Sequence, residues 1–120
     1  MNYGGKNSIE DEEGDAMAEK KVYLMIKVRV PFDLVGEFNE YWGKTSLPIW
    51  LKYGARHIGS FANFTGDPVN EIVRLFEFNS VSEWDRWEKF LADSEEGKNL
   101  VKGLLKYIVS LERKLLTSIY

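Results

Sequence analysis

The sequence predicts an α+β domain in the ferredoxin-like split βαβ order: strand, helix, strand, strand, helix, strand, with a helical insert before the last strand. Three observations predict it. Residues 22–30 alternate with a period of two, the mark of a half-buried strand. Two β-rich runs, residues 55–64 and 70–78, are separated only by Thr65-Gly66-Asp67-Pro68-Val69, which reads as a hairpin. Helical spacing fills the intervals after the first and third of these runs.

Each element has a local cause. In strand one, Val22, Leu24, Ile26, Val28 and Val30 fall on one face and Tyr23, Met25, Lys27 and Arg29 on the other. Pro31 stops it, Asp33 is placed to cap a helix, and Leu34, Val35, Phe38, Tyr41, Trp42 and Thr45 recur at helical spacing. Pro48 has no amide hydrogen, so this helix is expected to kink or restart there before Ile49, Trp50 and Leu51, with Gly54 as its left-handed stop. Ser80-Val81-Ser82-Glu83 is a capping box, in which hydroxyl and carboxylate satisfy orphan amides at a helix start. Val81, Trp84, Trp87 and Leu91 then lie on one stripe, broadened by Phe90. Asp93 or Ser94 can cap a further short helix whose buried side is Leu100, Val101, Leu104 and Leu105. Residues 108–118 read as the last strand, although their start also fits a continuing helix.

The chain is 120 residues, 44% apolar and 29% charged, which makes one ordinary globular domain and excludes disorder throughout. It has no Cys and one His, so thiolate chemistry, disulfides, Cys-type metal sites and any site needing two histidines are excluded. A net charge of −3 argues against nucleic acid as a partner. The longest run without Asp, Glu, Lys or Arg is residues 57–66, far short of the roughly 20 apolar residues of a membrane span. Residues 1–20 carry two Lys against six Asp and Glu, a net −4, so the other 100 residues carry +1. Residues 1–20 are therefore read as an acidic, solvated tail and residues 21–120 as the folded domain. No cationic start precedes an apolar run, and the expected address is the cytoplasm.

Both sheet faces carry apolar residues: strand three has Ile72, Phe76 and Phe78 opposite Val73 and Leu75. The helices suffice for one face. A second copy of the chain is the simplest cover for the other, giving an isologous homodimer.

The run Gly54-Ala55-Arg56-His57-Ile58-Gly59-Ser60-Phe61, the opening Asn70-Glu71-Ile72-Val73-Arg74-Leu75-Phe76-Glu77-Phe78, and the late Ser110-Leu111-Glu112-Arg113-Lys114-Leu115-Leu116 together resemble the NIPSNAP family of the dimeric α+β barrel superfamily, over roughly residues 21–117. Strand one departs from it. Where family members often resemble Tyr-Glu-Leu-Arg-x-Tyr, this chain has Tyr23-Leu24-Met25-Ile26-Lys27-Val28, so roles of the acidic, cationic and phenolic positions do not carry over. The superfamily includes cofactor-independent monooxygenases, isomerases, dehydratases, haem-binding enzymes and plain binding proteins, and the resemblance implies a fold rather than a reaction.

Candidate chemistry rests on few side chains. His57 is the one group titrating near neutrality and so the candidate catalytic proton carrier, the alternative being a hydrogen-bonded strand histidine. Its place on a strand makes haem an unexpected tight ligand, and no cofactor or metal is expected. Arg74 shares a face with Ile72 and Phe76, where either a salt bridge or an anionic ligand would compensate its charge. Glu77, on the opposite face, is expected in an ion pair at the dimer interface. Trp50, beyond the Pro48 break, is expected to border a gap whose floor is Phe76 and Arg74, so Trp50, Arg74 and Phe76 are the candidate ligand-binding residues. Two functions fit. One is binding of a small apolar or aromatic molecule with a cofactor-independent oxygenation, isomerisation or hydration; the other is non-catalytic ligand binding or scaffolding. A closed void of roughly several hundred Å³ touching His57 or Arg74 would favour the first.

Overall fold

The computed structural model describes residues 20–119. All but the last residue of the expected acidic tail lies outside them. The alternating first run forms β1 (Val22–Arg29). Pro31 ends it, and a single tight turn, Phe32–Leu34, leads into α1 (Val35–Tyr41). Asp33 does not cap this helix; the first bond is Leu34 N–H to the Pro31 carbonyl at 2.8 Å.

The helix changes pitch before Pro48 and restarts there. Trp42–Ser46 form a π-helical turn in which Leu47 N–H reaches back five residues to the Trp42 carbonyl. The α geometry resumes as α2 (Leu47–Lys52), with Pro48 in its first turn, where a missing N–H is harmless. Gly54, at φ +91°, ends it as expected.

β2 (Arg56–Ala62) and β3 (Glu71–Phe78) are the hairpin strands. Ser80 accepts the Glu83 amide at 3.1 Å and starts α3 (Val81–Asp93). Ser94, not Asp93, caps α4 (Glu95–Leu105), accepting the Gly97 amide at 2.8 Å. Helical turning continues past Leu105, with Tyr107 and Ile108 donating to Leu104 and Leu105, before β4 (Ser110–Thr117). The sheet is antiparallel in the order β2-β3-β1-β4, which is the split βαβ topology.

Register assigns the faces. Leu24, Ile26 and Val28 of β1 lie opposite Phe76, Arg74 and Ile72 of β3, and opposite Leu115, Arg113 and Leu111 of β4. This face meets the helices, where Trp42, Trp50, Trp87, Phe90 and Leu100 complete the core. Under α1 a smaller cluster joins Val28, Val30, Phe38 and Ile72. On the outer face Met25, Val73 and Leu75 are half-buried and Phe61 is exposed. α3 and α4 meet closely at Gly97, where a Cβ would fall 2.2 Å from the Phe90 carbonyl oxygen.

Candidate functional site

Arg74 is central to the site. Period and register turn it to the helix face, and only 6% of its surface is exposed. Nη1 donates to Ser60 Oγ at 2.7 Å and Nη2 to Asn39 Oδ1 at 2.8 Å. Its Cζ sits 3.6 Å from the centre of the Trp42 ring, a cation–π contact that replaces part of the lost hydration. Burial draws its pKa down to about 10. Among the described residues no carboxylate pairs with it, so no salt bridge within the described chain compensates its charge.

A β-bulge brings His57 to the same place. His57 pairs with Phe76, but Gly59 pairs with Leu75, so Ile58 is an extra residue. In an unbroken strand residues three apart point to opposite faces; the bulge puts His57 and Ser60 on one. His57 Nε2 and Ser60 Oγ are 2.8 Å apart. The imidazole lies 5.3 Å from the Trp42 ring and 5.4 Å from Phe76. Burial and, next, the Arg74 charge lower its pKa, against a smaller opposing effect of a hydrogen bond to the Gly59 backbone.

Between the sheet and the helices is a cleft of about 150 Å³. Trp42, Trp50, Trp87 and Leu104 wall it, and Arg74 and Arg113 bring it positive charge. Ile26 lies between the two arginines in one cross-strand row. Arg113 is paired with Glu88 of α3. Leu105 and Leu111, 53% and 48% exposed, stand at the cleft's open side. A second depression on the outer face, about 300 Å³, is walled by Lys27, Arg29, Glu71 and Glu112, whose charges balance.

Of the candidates from sequence, Trp50 and Arg74 line the cleft together. Phe76 does not reach it: it is fully buried, its ring stacked 3.9 Å from that of Trp50, so no gap opens between the two. It backs the tryptophan instead of forming a floor. His57 also lies off the cleft wall and meets Arg74 through Ser60. Glu77 is ion-paired within its own chain, with Arg56 and Lys21, on the outer face. Sequence pattern alone does not single out Asn39, Trp42, Ser60 or Arg113 as members of the site. Gly59 was the available signal for Ser60, since glycine inside a strand marks a bulge. Among the described residues no three of His, Asp and Glu gather as a metal site, and no helix is long and apolar enough to cross a membrane.

A family model, NIPSNAP, matches residues 23–119. The chain belongs to the NIPSNAP family. Solved structures agree with that placement. An uncharacterised NIPSNAP domain protein from Burkholderia xenovorans superposes with a TM-score of 0.70 at 21% identity, covering 81% of this chain and 93% of that one. A NIPSNAP family protein from Agrobacterium tumefaciens gives 0.71 at 16% identity, covering 83% and 87%. SnoaB, a cofactor-independent oxygenase from Streptomyces nogalater, gives 0.64 at 15% identity, covering 84% and 95%. At these identities the likeness is one of fold. No curated protein matches the chain.

Proposed function

We propose that this NIPSNAP chain binds a small aromatic or otherwise apolar molecule carrying an anionic oxygen, with its body along Trp42 and Trp50 and its oxygen at Arg74. One observation carries the reading: a guanidinium 6% exposed, with only neutral side-chain partners among the described residues, on the wall of a mostly apolar cleft. A buried charge without a counter-charge is costly, and an incoming oxyanion would offset that cost in a setting where water competes weakly. Phe76 keeps the Trp50 ring flat against the core, so the wall is preformed.

Turnover is the second reading. SnoaB is a cofactor-independent oxygenase on this fold, and a cation beside a bound enolate or phenolate would stabilise such an anion here too. The cleft is smaller and more open than the closed void that favours catalysis, so binding ranks first. A homodimer through the outer sheet faces belongs to the same proposal, supported by Met25, Val73, Leu75 and Phe61 on a face that no helix among the described residues covers.

Arg74→Met tests the binding reading. The affinity for 4-nitrobenzoate should fall about tenfold to a hundredfold, the loss of a charge-assisted hydrogen bond, while that for the neutral 4-nitrobenzamide stays nearly unchanged. Asn39 and Ser60 are exposed and can be rehydrated, so the variant should fold. Equal losses for both compounds would refute the proposal.

A further inference from the structure

Ser60 links two groups of opposite need. It accepts a hydrogen bond from the Arg74 guanidinium, which leaves its own hydrogen to point elsewhere. Nε2 is the ring nitrogen at Ser60, so the neutral tautomer that completes the chain carries its proton on Nδ1. Nε2 is then a free acceptor and Ser60 O–H donates to it at 2.8 Å. The chain has one direction: Arg74 N–H to Ser60 Oγ, then Ser60 O–H to His57 Nε2.

Resting on the reading that a ligand oxygen sits at Arg74, we propose that Ser60 and His57 take up the acidic proton of that ligand, so that the favoured ligands are weak oxygen acids, phenols or enols, which enter neutral and are held as anions. A ligand oxygen taken by the second Nη1 hydrogen of Arg74 comes beside Ser60 Oγ, which holds the first. The ligand O–H bond breaks, its proton forms a new O–H bond on Ser60, and the proton Ser60 carried passes to His57 Nε2. The electron pair stays on the ligand oxygen beside Arg74. One anion and one imidazolium form from two neutral groups, and no oxidant or other reagent is needed. His57 is half-buried. Trp42 faces it from the π-turn and Phe76 from β3, and Arg74 is the charged group whose field reaches it. A ligand anion at Arg74 offsets that field at the moment the imidazole accepts its proton. Ser60 and His57 are here positioning and proton-carrying residues acting beside the ligand-binding arginine.

The single histidine makes the test direct, because one imidazole signal reports the site by NMR. The probe pair is 4-nitrophenol, which has a proton to give and a visible phenolate band, and 4-nitrobenzoate, which has none to give. Titrations are run at a pH between the measured pKa of His57 and that of the free phenol. The expected result is a phenolate band and an imidazolium signal rising together as 4-nitrophenol binds, with no proton released to the buffer. In Ser60→Ala the imidazolium signal should vanish, any phenolate formed should be matched by proton release, and Ser60→Thr should restore the native pattern. Binding of 4-nitrobenzoate should be weakened far more by Arg74→Met than by Ser60→Ala. An imidazolium signal that persists in Ser60→Ala, or a bound phenol that leaves His57 neutral in the native protein, overturns the proton path while leaving the Arg74 reading intact. Binding of 4-nitrobenzoate that is absent, or indifferent to Arg74→Met, overturns the Arg74 reading and the proton path with it.

Discussion

Replacing Gly97 by Ala should destabilise the protein although alanine is the better helix former. Gly97 lies in the first turn of α4, where it packs on the end of α3. A Cβ there would meet the Phe90 carbonyl oxygen at 2.2 Å and Leu91 Cα at 2.7 Å. Both are backbone atoms and cannot swing aside. Ordinary contact begins at 3.4 Å, so the two helices would have to separate by about 1.2 Å. Overpacking of this kind costs about 1–3 kcal/mol, against which the helix-propensity gain of Ala over Gly is about 1 kcal/mol. The expected net loss is up to about 2 kcal/mol, or up to about 10 °C in the unfolding temperature of a domain this size. Urea and thermal unfolding followed by tryptophan fluorescence measure it. Gly36→Ala in α1 is the control, since a Cβ there meets nothing within 4 Å and should gain about 1 kcal/mol. α4 carries Leu100 and Leu104 of the cleft wall, so ligand affinity should fall in Gly97→Ala alone. An unfolding midpoint at or above wild type for Gly97→Ala would refute the close packing of α3 on α4.

Trp50→Phe should cost about 1–3 kcal/mol more than Trp87→Phe: Trp50 Nε1 donates to the buried Ser46 hydroxyl at 3.0 Å, whereas the buried Trp87 Nε1 has no partner among the described residues. Equal losses in chemical denaturation would contradict this. Burial on its own raises the Glu77 pKa, but hydrogen bonds from Arg56 and Tyr23 and the charges of Arg56 and Lys21 outweigh it and hold it below the usual range. Its contribution is therefore fully present above the unfolded value of about 4.3 and is lost as pH falls through the folded one. Glu77→Gln should flatten the acid limb of stability against pH, and parallel curves would count against it. Sedimentation at micromolar concentration should show a dimer, and Leu75→Asp on the outer face should shift it toward monomer with the far-UV spectrum unchanged. A native chain that sediments as a monomer defeats that expectation.

The order of elements was legible because each depended on neighbouring residues. Ser80 needed only its own hydroxyl and an amide three residues on, and Gly54 only its freedom at positive φ. The face shared by Arg74 and Phe76 followed from period alone. What that face meets did not. The Trp50 ring settles on Phe76 because the chain passes through a π-turn first, and a hydrogen bond spanning five residues leaves no periodic mark in five residues of sequence. The nearness of His57 to Ser60 likewise depends on one residue left out of the ladder between β2 and β3, which is a property of pairing rather than of either strand. Asp33 shows the converse: a good capping residue goes unused because Pro31 already supplies the first carbonyl.

The wide turn at Trp42–Ser46 amounts to one inserted residue in a helix, and it leaves α1 and α2 out of phase. Removing one residue from it would rotate α2 by about 100° relative to α1, as a helix of 3.6 residues per turn requires, and carry Trp50 off the face of Phe76. α1 delivers Asn39 to the arginine end of the cleft, and α2 delivers Trp50 to the aromatic end. The two ends therefore answer to separate stretches of chain joined by a counting step. Substitutions in α1 can retune what is recognised, substitutions in α2 can reshape the wall, and a single insertion or deletion between them resets both at once.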